Sequence, residues 1–376
     1  MEIDENQLHI YSVAEMESAG TVRLYGRTVP QHQPYYLFWT SSGLEWEICA
    51  REMWLDLDVA YESAEPWVTV EIDGALFSRQ PLMPGRQSLC LYRNMTDGNP
   101  HRVRFALDTQ AAEGTFVAVS QLRTDGAPLP MTPPPMRIEC IGDSITSGEG
   151  LALPASYTGW ATGMHSASRA YHRILMQQRD ADVRVLSRGG YGVYCGWNND
   201  IRSAMPRYYD AVCGFQDNAA GRALGACAEN DFAAWQPDVI FVLLGANDRG
   251  AAGRDPWIDA NGTAHQLKWE SDGILTPESE KLVQNAVTSF LQNLRAKNPA
   301  AHIVWACGVL DAVIAPTIRA ALDRYAASAG DGRVEFRMLS PVSDRSAHNH
   351  PGVETHRRMA AELGAILDET AQNADF

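Results

Sequence analysis

A serine between glycines is the first group in this sequence that could do chemistry. Ser144 lies in the segment GDSITSGEG, residues 142–150, directly after an apolar run. The flanking glycines permit a tight turn from a strand into a helix, which would expose the hydroxyl and let the serine N–H face a developing oxyanion. Asp143 or Ser144 could instead simply cap a helix N-terminus. The motif alone leaves both interpretations open.

Three further loops carry groups that would complete a site for acyl transfer. The glycine loop SRGGYG, residues 187–192, offers main-chain amides that can approach a substrate oxygen, although it could also be an ordinary turn. Asn247 could donate an uncharged hydrogen bond to an oxyanion, or it could cap the segment that follows it. His350, in the loop HNHP before the last predicted helix, could act as general base to a serine.

Alternating strands and helices from residue 137 onward must position these loops. Helices are predicted near residues 168–179, 277–297 and 315–327 and from about 353, and strands are predicted at RIECIGDS, VRVLS, PDVIFVLLG, HIVWACGVL and VEFRML. This alternation requires crossover connections, so it predicts a parallel sheet with helices on both faces. Ligands bind beyond the carboxyl ends of such strands, which is where Ser144, the glycine loop and Asn247 fall.

The first 130 residues follow a different pattern. Short stretches such as MWLDLDVAY and WVTVEIDG alternate apolar and polar residues, with turn formers between them, and they predict an antiparallel sandwich or jelly roll. The proline-rich segment PLPMTPPP, residues 128–135, favours a stiff polyproline II connector. We therefore predict a β-sandwich domain over residues 1–130, a linker over 131–136 and an α/β domain over 137–376.

Taken together, the four loops resemble those of SGNH (GDSL-type) hydrolases in their order and in their position relative to the strands. The β-rich leader resembles carbohydrate esterase family 2 more narrowly, as do the segments GDSITSGEG, GGYGVY, MPRYYD, WQPDVIFVLLGAND and HPGVETHRRMA. The resemblance to SGNH hydrolases extends from residue 137 to about 370. It implies a three-layer α/β/α, flavodoxin-like catalytic domain behind an N-terminal jelly roll.

The same resemblance implies roles for single residues. Ser144 matches the nucleophile and His350 matches the base. Gly192 and Asn247 match the oxyanion donors that act beside the Ser144 amide, with Gly190 as the second choice for the glycine.

One position departs from the family pattern. The SGNH pattern usually has an aspartate three residues before the histidine, and family 2 members often have one two residues before it. Ala347 and His348 occupy these positions here. A base histidine needs the proton on its second nitrogen held, because otherwise the wrong tautomer is populated. We favour a backbone carbonyl as the partner of His350, with Asp344 or a more distant acid as alternatives.

Aromatic residues are the second indication of a sugar substrate, since sugars stack their C–H faces on flat rings and the chain contains 10 tryptophans. Tyr191, beside Gly190 in the glycine loop, is the main candidate for such a platform. Trp160, Tyr157 and Trp305 are further candidates, and ordinary core packing explains these three equally well.

Three histidines near the end of the chain could also be metal ligands. His348, His350 and His356 form an H-x-H…H set, but no acidic or thiolate partner sits at zinc-ligand spacing, so we predict neither a metal nor an organic cofactor. His356, on the predicted terminal helix, is expected to be a surface or capping residue. Asp143 and Asp248 are expected to hold loop backbone and not to transfer protons.

Charge and hydropathy exclude other classes of function. Lys+Arg 31 against Asp+Glu 46 gives a net charge of −15, which opposes binding to nucleic acid and to anionic membranes. No apolar run approaches the roughly 20 residues of a membrane span. The first twenty residues lack a signal-peptide pattern, and 7 cysteines without CxxC spacing indicate reduced thiols, so a cytoplasmic location is expected. The sequence gives no indication of oligomeric state.

These observations predict a carbohydrate O-acetylesterase. Its substrates would be acetylated oligosaccharides derived from xylan or mannan, cleaved through a serine acyl-enzyme. A lipolytic esterase or thioesterase is the first alternative, and it would need a broad apolar acyl groove. A carbohydrate-binding protein that has lost its activity is the second.

Overall fold

The computed structural model describes residues 8–31 and 33–373. Residues 1–7, part of the first twenty residues that lack a signal-peptide pattern, lie outside these ranges. The strands are β1 (His9–Ser12), β2 (Arg23–Tyr25), β3 (Tyr35–Leu37), β4 (Gly43–Ile48), β5 (Met53–Ala60), β6 (Trp67–Ile72), β7 (Ala75–Pro81), β8 (Gly85–Tyr92), β9 (His101–Leu107), β10 (Phe116–Thr124), β11 (Arg137–Gly142), β12 (Asp182–Ser187), β13 (Val239–Leu243), β14 (Trp257–Ile258), β15 (Ala264–His265), β16 (His302–Cys307) and β17 (Val334–Met338). The α-helices are α1 (Val13–Ser18), α2 (Tyr171–Arg179), α3 (Ala219–Leu224), α4 (Ala246–Ala251), α5 (Pro277–Lys297), α6 (Ala315–Ala329) and α7 (Val353–Asn373).

The described chain divides into two compact units, and neither is a continuous stretch of sequence. Of the described residues, the first unit contains those up to Pro135 together with Ala161–Gly163 and Ala211–Asn230, and the second contains the others. Both short segments lie within residues 137–376, the range that the sequence predicts to be the α/β domain. Whether each unit is an independent domain stays a prediction.

The first unit holds two five-stranded antiparallel sheets. One has the order β1-β10-β5-β8 with β3 also paired to β10, and the other has the order β2-β4-β9-β6-β7. Both contribute to a single cluster of buried apolar side chains, with Trp46 and Phe105 from one sheet and Leu55 and Val117 from the other. The alternating pattern of β5, in which every second residue is buried, is the period-two signal read from the sequence.

The second unit is built on a parallel sheet of order β12-β11-β13-β16-β17. Counted along the chain, this is strand order 2-1-3-4-5, the flavodoxin-like order. The chain reverses its direction of progress across the sheet at β11, so β11 and β13 border the point where a crevice opens beyond the carboxyl ends. The predicted parallel sheet is confirmed.

Long helices cover this sheet in two pairs. Helix α2 packs against α7, and α5 packs against α6. Since crossovers between parallel strands are right-handed, the reversal at β11 places α2 and α5 on opposite faces of the sheet. Thr276 accepts a hydrogen bond from the Ser279 amide and Pro277 occupies the first turn, which is why α5 begins where the sequence predicts.

No helix among the described residues is long and apolar enough to span a membrane.

Candidate active site

Ser144 and His350 meet beyond the carboxyl end of β11. The Nε2 atom of His350 lies 2.8 Å from the Ser144 Oγ. Ser144 is only 8% exposed. The residues after Ser144 form consecutive turns and not the regular helix expected from the sequence, with the Ser147 amide bonded to the Asp143 carbonyl. The serine hydroxyl is therefore held on a compact loop, within hydrogen-bond reach of a base.

The second nitrogen of His350 contacts a backbone carbonyl. Nδ1 lies 3.1 Å from the carbonyl oxygen of His348. A carbonyl can only accept, so Nδ1 carries the proton and Nε2 is left to accept from the serine hydroxyl. Burial lowers the pKa of His350, although the nearby Glu149 carboxylate acts in the opposite direction. The imidazole is thus held neutral, in the tautomer that a general base requires.

Asp344 has a different task. Its carboxylate accepts hydrogen bonds from the Thr355 amide at 2.7 Å, the Thr355 hydroxyl at 2.6 Å and the Glu354 amide at 3.1 Å. These bonds satisfy free N–H groups at the start of α7. Asp344 therefore caps the last helix, and the alternative in which it orients His350 is not supported by these contacts.

Asn247 connects the serine loop to the glycine loop. It lies in the first turn of α4, and its Nδ2 donates to the Tyr191 carbonyl at 2.9 Å and to Asp143 Oδ2 at 3.1 Å. Both amide hydrogens are thereby used, so an oxyanion would have to replace one of these acceptors. Burial raises the pKa of Asp143 to about 8.

Asp248 holds the backbone that directly follows the glycine loop. Its carboxylate accepts from three successive amides, those of Val193, Tyr194 and Cys195, at 2.8, 2.7 and 3.1 Å. Burial raises its pKa to about 6, against the effect of these amide bonds. The Ile145 amide donates to Asp143 Oδ1 at 3.0 Å, so Asp143 and Asp248 both contact loop backbone, which is the role expected of them.

The hydrogen bonds of the glycine loop favour Gly190 over Gly192 as the oxyanion donor. The Gly192 amide donates to the Ser203 carbonyl at 3.2 Å, so it is engaged in the structure of the loop itself. Gly190 has φ +81, and its amide has no hydrogen-bond partner among the residues that the structure describes. The Ser144 amide is likewise without a partner in the described part of the chain. Gly190 and Ser144 thus have the available N–H groups.

Of the proposed aromatic residues, Trp305 is wrong as a surface platform. It is fully buried, donates from Nε1 to the Leu244 carbonyl and packs edge-on against Phe290. Trp160 is 55% exposed and meets the ring of His165 edge-on, and Tyr191 contacts Tyr208 in the same manner. These two remain candidates for contact with a sugar.

Sequence reasoning missed Trp197 and Glu149. Trp197 is 50% exposed and lies against Gly190, where a Cβ would come within 2.9 Å of its ring. Its position seven residues after Gly190 was a usable signal, since a tryptophan close in sequence to a candidate oxyanion loop can contact a sugar. Glu149 has its Oε1 3.1 Å from His348 Nδ1 and 3.9 Å from His350 Nδ1.

The three histidines considered as metal ligands do not converge. His356 is fully buried, so it is not a surface residue. Its Nδ1 accepts from the amide of Tyr171, the first residue of α2, at 3.2 Å, which agrees with the capping alternative. Within residues 8–31 and 33–373, no group of three His, Cys, Asp or Glu side chains is arranged to hold a metal ion.

Comparison with known proteins identifies relatives of both units together. The structure of an acetyl xylan esterase from the rumen bacterium Butyrivibrio proteoclasticus is similar over 97% of this chain and 99% of that chain, with 34% identity and a TM-score of 0.94. A family two carbohydrate esterase from Clostridium thermocellum in complex with cellohexaose matches over 93% of this chain and 99% of that chain, with 17% identity and a TM-score of 0.76. For a family two carbohydrate esterase from Cellvibrio japonicus the coverage is 96% and 97%, the identity 20% and the TM-score 0.76.

The last two likenesses concern the fold alone. A search of curated protein sequences gave no significant match. Residues 140–358, more than half of the chain, match the GDSL-like Lipase/Acylhydrolase family, and this range includes Ser144, the glycine loop, Asn247 and His350. On this match, and on 34% identity to the Butyrivibrio esterase over nearly the whole length, the chain belongs to the GDSL-like lipase/acylhydrolase family.

Proposed function

We propose that this protein is a carbohydrate O-acetylesterase that works through a serine acyl-enzyme. The observation that carries the proposal is the 2.8 Å contact between Ser144 Oγ and His350 Nε2, with the proton on Nδ1 held by the His348 carbonyl. A serine activated by a neutral histidine is the arrangement that ester cleavage requires.

The reaction would proceed in two halves. Ser144 attacks the acetyl carbonyl as its proton passes to His350 Nε2, and His350 then protonates the leaving sugar hydroxyl. Water, deprotonated by His350, attacks the acetyl-enzyme and releases acetate together with free Ser144.

The oxyanion of each tetrahedral intermediate would be held by the amides of Ser144 and Gly190. Asn247 is proposed as the third donor. To donate to the oxyanion, its amide group would release either the Tyr191 carbonyl or Asp143 Oδ2. Such preorganised donors act where charge develops, so they stabilise the transition state more than the bound substrate.

Acetylated oligosaccharides derived from xylan or mannan are the proposed substrates. The acetyl xylan esterase that is 34% identical to this chain supports the reaction type, and the cellohexaose complex of the Clostridium esterase supports a glycan ligand for this fold. The exposed rings of Trp160 and Trp197, with Tyr191, would contact the sugar. The first unit is proposed to be a sandwich of the jelly-roll type, and the proposed location is the cytoplasm.

Hydrolysis of one chromogenic alcohol esterified with acetate, butyrate or octanoate tests this function. We expect the rate to fall steeply from acetyl to butyryl, because the acyl pocket that we propose beside the glycine loop would accept little more than an acetyl group. We expect Ser144→Ala to lower kcat on the acetyl ester by about 10⁴ or more with an unchanged circular dichroism spectrum. A matched serine variant, Ser271→Ala on the exposed surface, should retain wild-type activity.

Each other outcome points to one alternative. Rates that are equal or that rise toward octanoate would favour a lipolytic esterase. A folded wild-type protein that binds acetylated xylo-oligosaccharides but releases no acetate would favour the inactive carbohydrate-binding protein. Ser144→Ala with more than half of wild-type activity would exclude Ser144 as the nucleophile.

A further inference from the structure

The histidine loop lacks the usual acid, but a carboxylate reaches it from the serine loop. Glu149 belongs to the segment that carries Ser144, and its amide donates to the Ser144 carbonyl at 3.0 Å. Its side chain is only 12% exposed, and Oε1 lies 3.1 Å from His348 Nδ1. The glutamate is thus tied by its backbone to the nucleophile and by its carboxylate to the residue whose carbonyl contacts His350.

His348 adopts a conformation that needs external support. Its φ is 55° and its ψ is 24°, and the next residue, Asn349, has φ 59°. Left-handed backbone is unfavourable for a residue with a Cβ, so it persists where surrounding contacts hold it. The bond between Glu149 and the His348 side chain is such a contact. It fixes the residue whose carbonyl oxygen must face His350 Nδ1.

The two loops approach each other closely at the same place. Gly150 has φ +84°, and a Cβ there would come within 2.4 Å of the Ala347 carbonyl oxygen. The Ala347 amide donates to the Leu153 carbonyl at 3.3 Å, which ties the following turn to the histidine loop as well. Residues 149–153 therefore form the surface against which the histidine loop is set.

We propose that Glu149, which lies in the serine loop, is a positioning residue that replaces the acid missing from the histidine loop. It orients His350 indirectly, by holding His348 in the conformation that presents its carbonyl to Nδ1, and its charge stabilises the imidazolium through space. This inference rests on the proposed function, in which Ser144 is the nucleophile and His350 the base.

The through-space part follows from the charges around His350. Glu149 faces it from the serine loop, with Oε1 3.9 Å from Nδ1, which is beyond hydrogen-bond distance. His348 and Arg345 face it from its own loop, and His356 faces it from the last helix. Among these groups Glu149 carries the negative charge, so it favours the protonated form of His350 that arises during the reaction.

A fluorophosphonate probe measures this role independently of the substrate. Ser144 Oγ forms the bond to phosphorus, fluoride leaves, and His350 takes the serine proton, so the labelling rate reports the serine and histidine pair alone. We expect Glu149→Ala to lower both the labelling rate and kcat on the acetyl ester by about 10²-fold, with KM changed less than about twofold. Glu149→Gln keeps an acceptor for His348 and loses the charge, so we expect a loss of about tenfold.

Two readouts separate this role from a general loss of structure. In Glu149→Gln, the acidic limb of kcat/KM should move to lower pH, because removing a negative charge lowers the pKa of His350. The losses of rate caused by Glu149→Ala and His348→Ala should not multiply, since both variants remove the same contact. The rate of the double variant should lie within about twofold of that of Glu149→Ala. Glu278→Gln, an exposed glutamate on α5, is the matched control and should match wild type.

The proposal is overturned if Glu149→Ala labels and turns over within threefold of wild type, or if the pH limb stays in place in Glu149→Gln. Multiplicative effects of the two alanine variants would overturn the route through His348. A wild-type protein that labels rapidly but cleaves no acetyl ester would overturn the proposed substrate and leave the role of Glu149 open to measurement by labelling. Wild-type protein that is not labelled at Ser144 would overturn both.

Discussion

At the scale of single residues, the side chain of Asn247 joins two parts of the candidate site. One amide hydrogen holds the Tyr191 carbonyl and the other holds Asp143 Oδ2, so the glycine loop and the serine loop are fastened to the same residue. The present acceptors are a neutral carbonyl and a carboxyl group whose pKa is raised by burial to about 8, whereas an oxyanion carries a full negative charge. Exchanging one of these acceptors for an oxyanion is favourable in the transition state and unfavourable in the ground state.

Asn247→Ala is therefore expected to lower kcat by about 10² to 10³ with little change in KM, the usual effect of removing one oxyanion donor. Initial rates on the acetyl ester over a range of concentrations measure both constants. Asn293→Ala is the control, because it removes a surface hydrogen bond from Asn293 on α5 to Asp210, and it should behave as wild type. An Asn247→Ala variant that mainly raises KM would assign this side chain to substrate binding.

Residue types with specific chemistry were the ones that the sequence could locate. Ser144, Asn247 and His350 each follow a recognisable strand or precede a recognisable helix, and few other residues could serve the same chemistry. Gly190 could not be ranked above Gly192, because the difference lies in whether an amide is already bonded to the Ser203 carbonyl. Trp305 could not be assigned either, since a tryptophan at a strand end looks the same whether it is buried or exposed.

At the scale of elements, the approach of the serine loop to the histidine loop depends on a residue without a side chain. Gly150 combines a left-handed backbone with a distance that leaves no room for a Cβ beside Ala347. A methyl group there would have to push the histidine loop away from the turn that carries the nucleophile. The 2.8 Å contact between the two loops' functional atoms would be lost with it.

Gly150→Ala should accordingly lower kcat by at least about tenfold and lower stability by about 1–3 kcal/mol, the cost of a strained non-glycine residue. Thermal unfolding and acetyl ester hydrolysis measure the two effects. Gly332→Ala is the matched control, because a Cβ at that exposed position meets nothing within 4 Å. Wild-type activity in Gly150→Ala would mean that the two loops tolerate a wider separation.

Elements with local signals were predictable from the sequence, and elements set by distant contacts were not. Helix α5 was predicted over its observed range because Thr276 and Pro277 mark its start and apolar residues repeat at helical spacing. The turns after Ser144 were expected to be a helix, since a glycine and serine-rich stretch carries no signal that distinguishes the two. The left-handed pair His348 and Asn349 is held by contacts from another loop, which local sequence does not encode.

At the scale of the whole molecule, the first unit depends on residues from far along the chain. The buried indole of Trp39 donates to the Val212 carbonyl at 2.6 Å. The buried side chain of Gln216 donates to the carbonyls of Ala112 and Thr115 at 2.9 and 2.8 Å. A protein cut at the proline-rich segment would leave these groups without partners, at a cost of about 1–3 kcal/mol for each buried group left unpaired.

A chain of residues 1–135 alone is therefore expected to unfold without a cooperative thermal transition or to aggregate. The full-length protein with an engineered protease site within residues 132–135, cleaved after folding, is the control. It keeps residues 211–230, so it should remain associated and unfold cooperatively, as followed by circular dichroism and size-exclusion chromatography. If the truncated chain unfolds as cooperatively as the cleaved protein, residues 211–230 are not needed for the first unit to fold.

The interleaving of the two units in sequence also bears on how such a protein can arise and change. Ala161–Gly163 and Ala211–Asn230 belong to the first unit although they are encoded inside the second. A recombination event at the proline-rich segment would deliver a sandwich without its distant segment and a hydrolase carrying an orphaned insertion. Recombination that exchanges one unit without the other is therefore expected to give unstable proteins. We expect the two units to be inherited together.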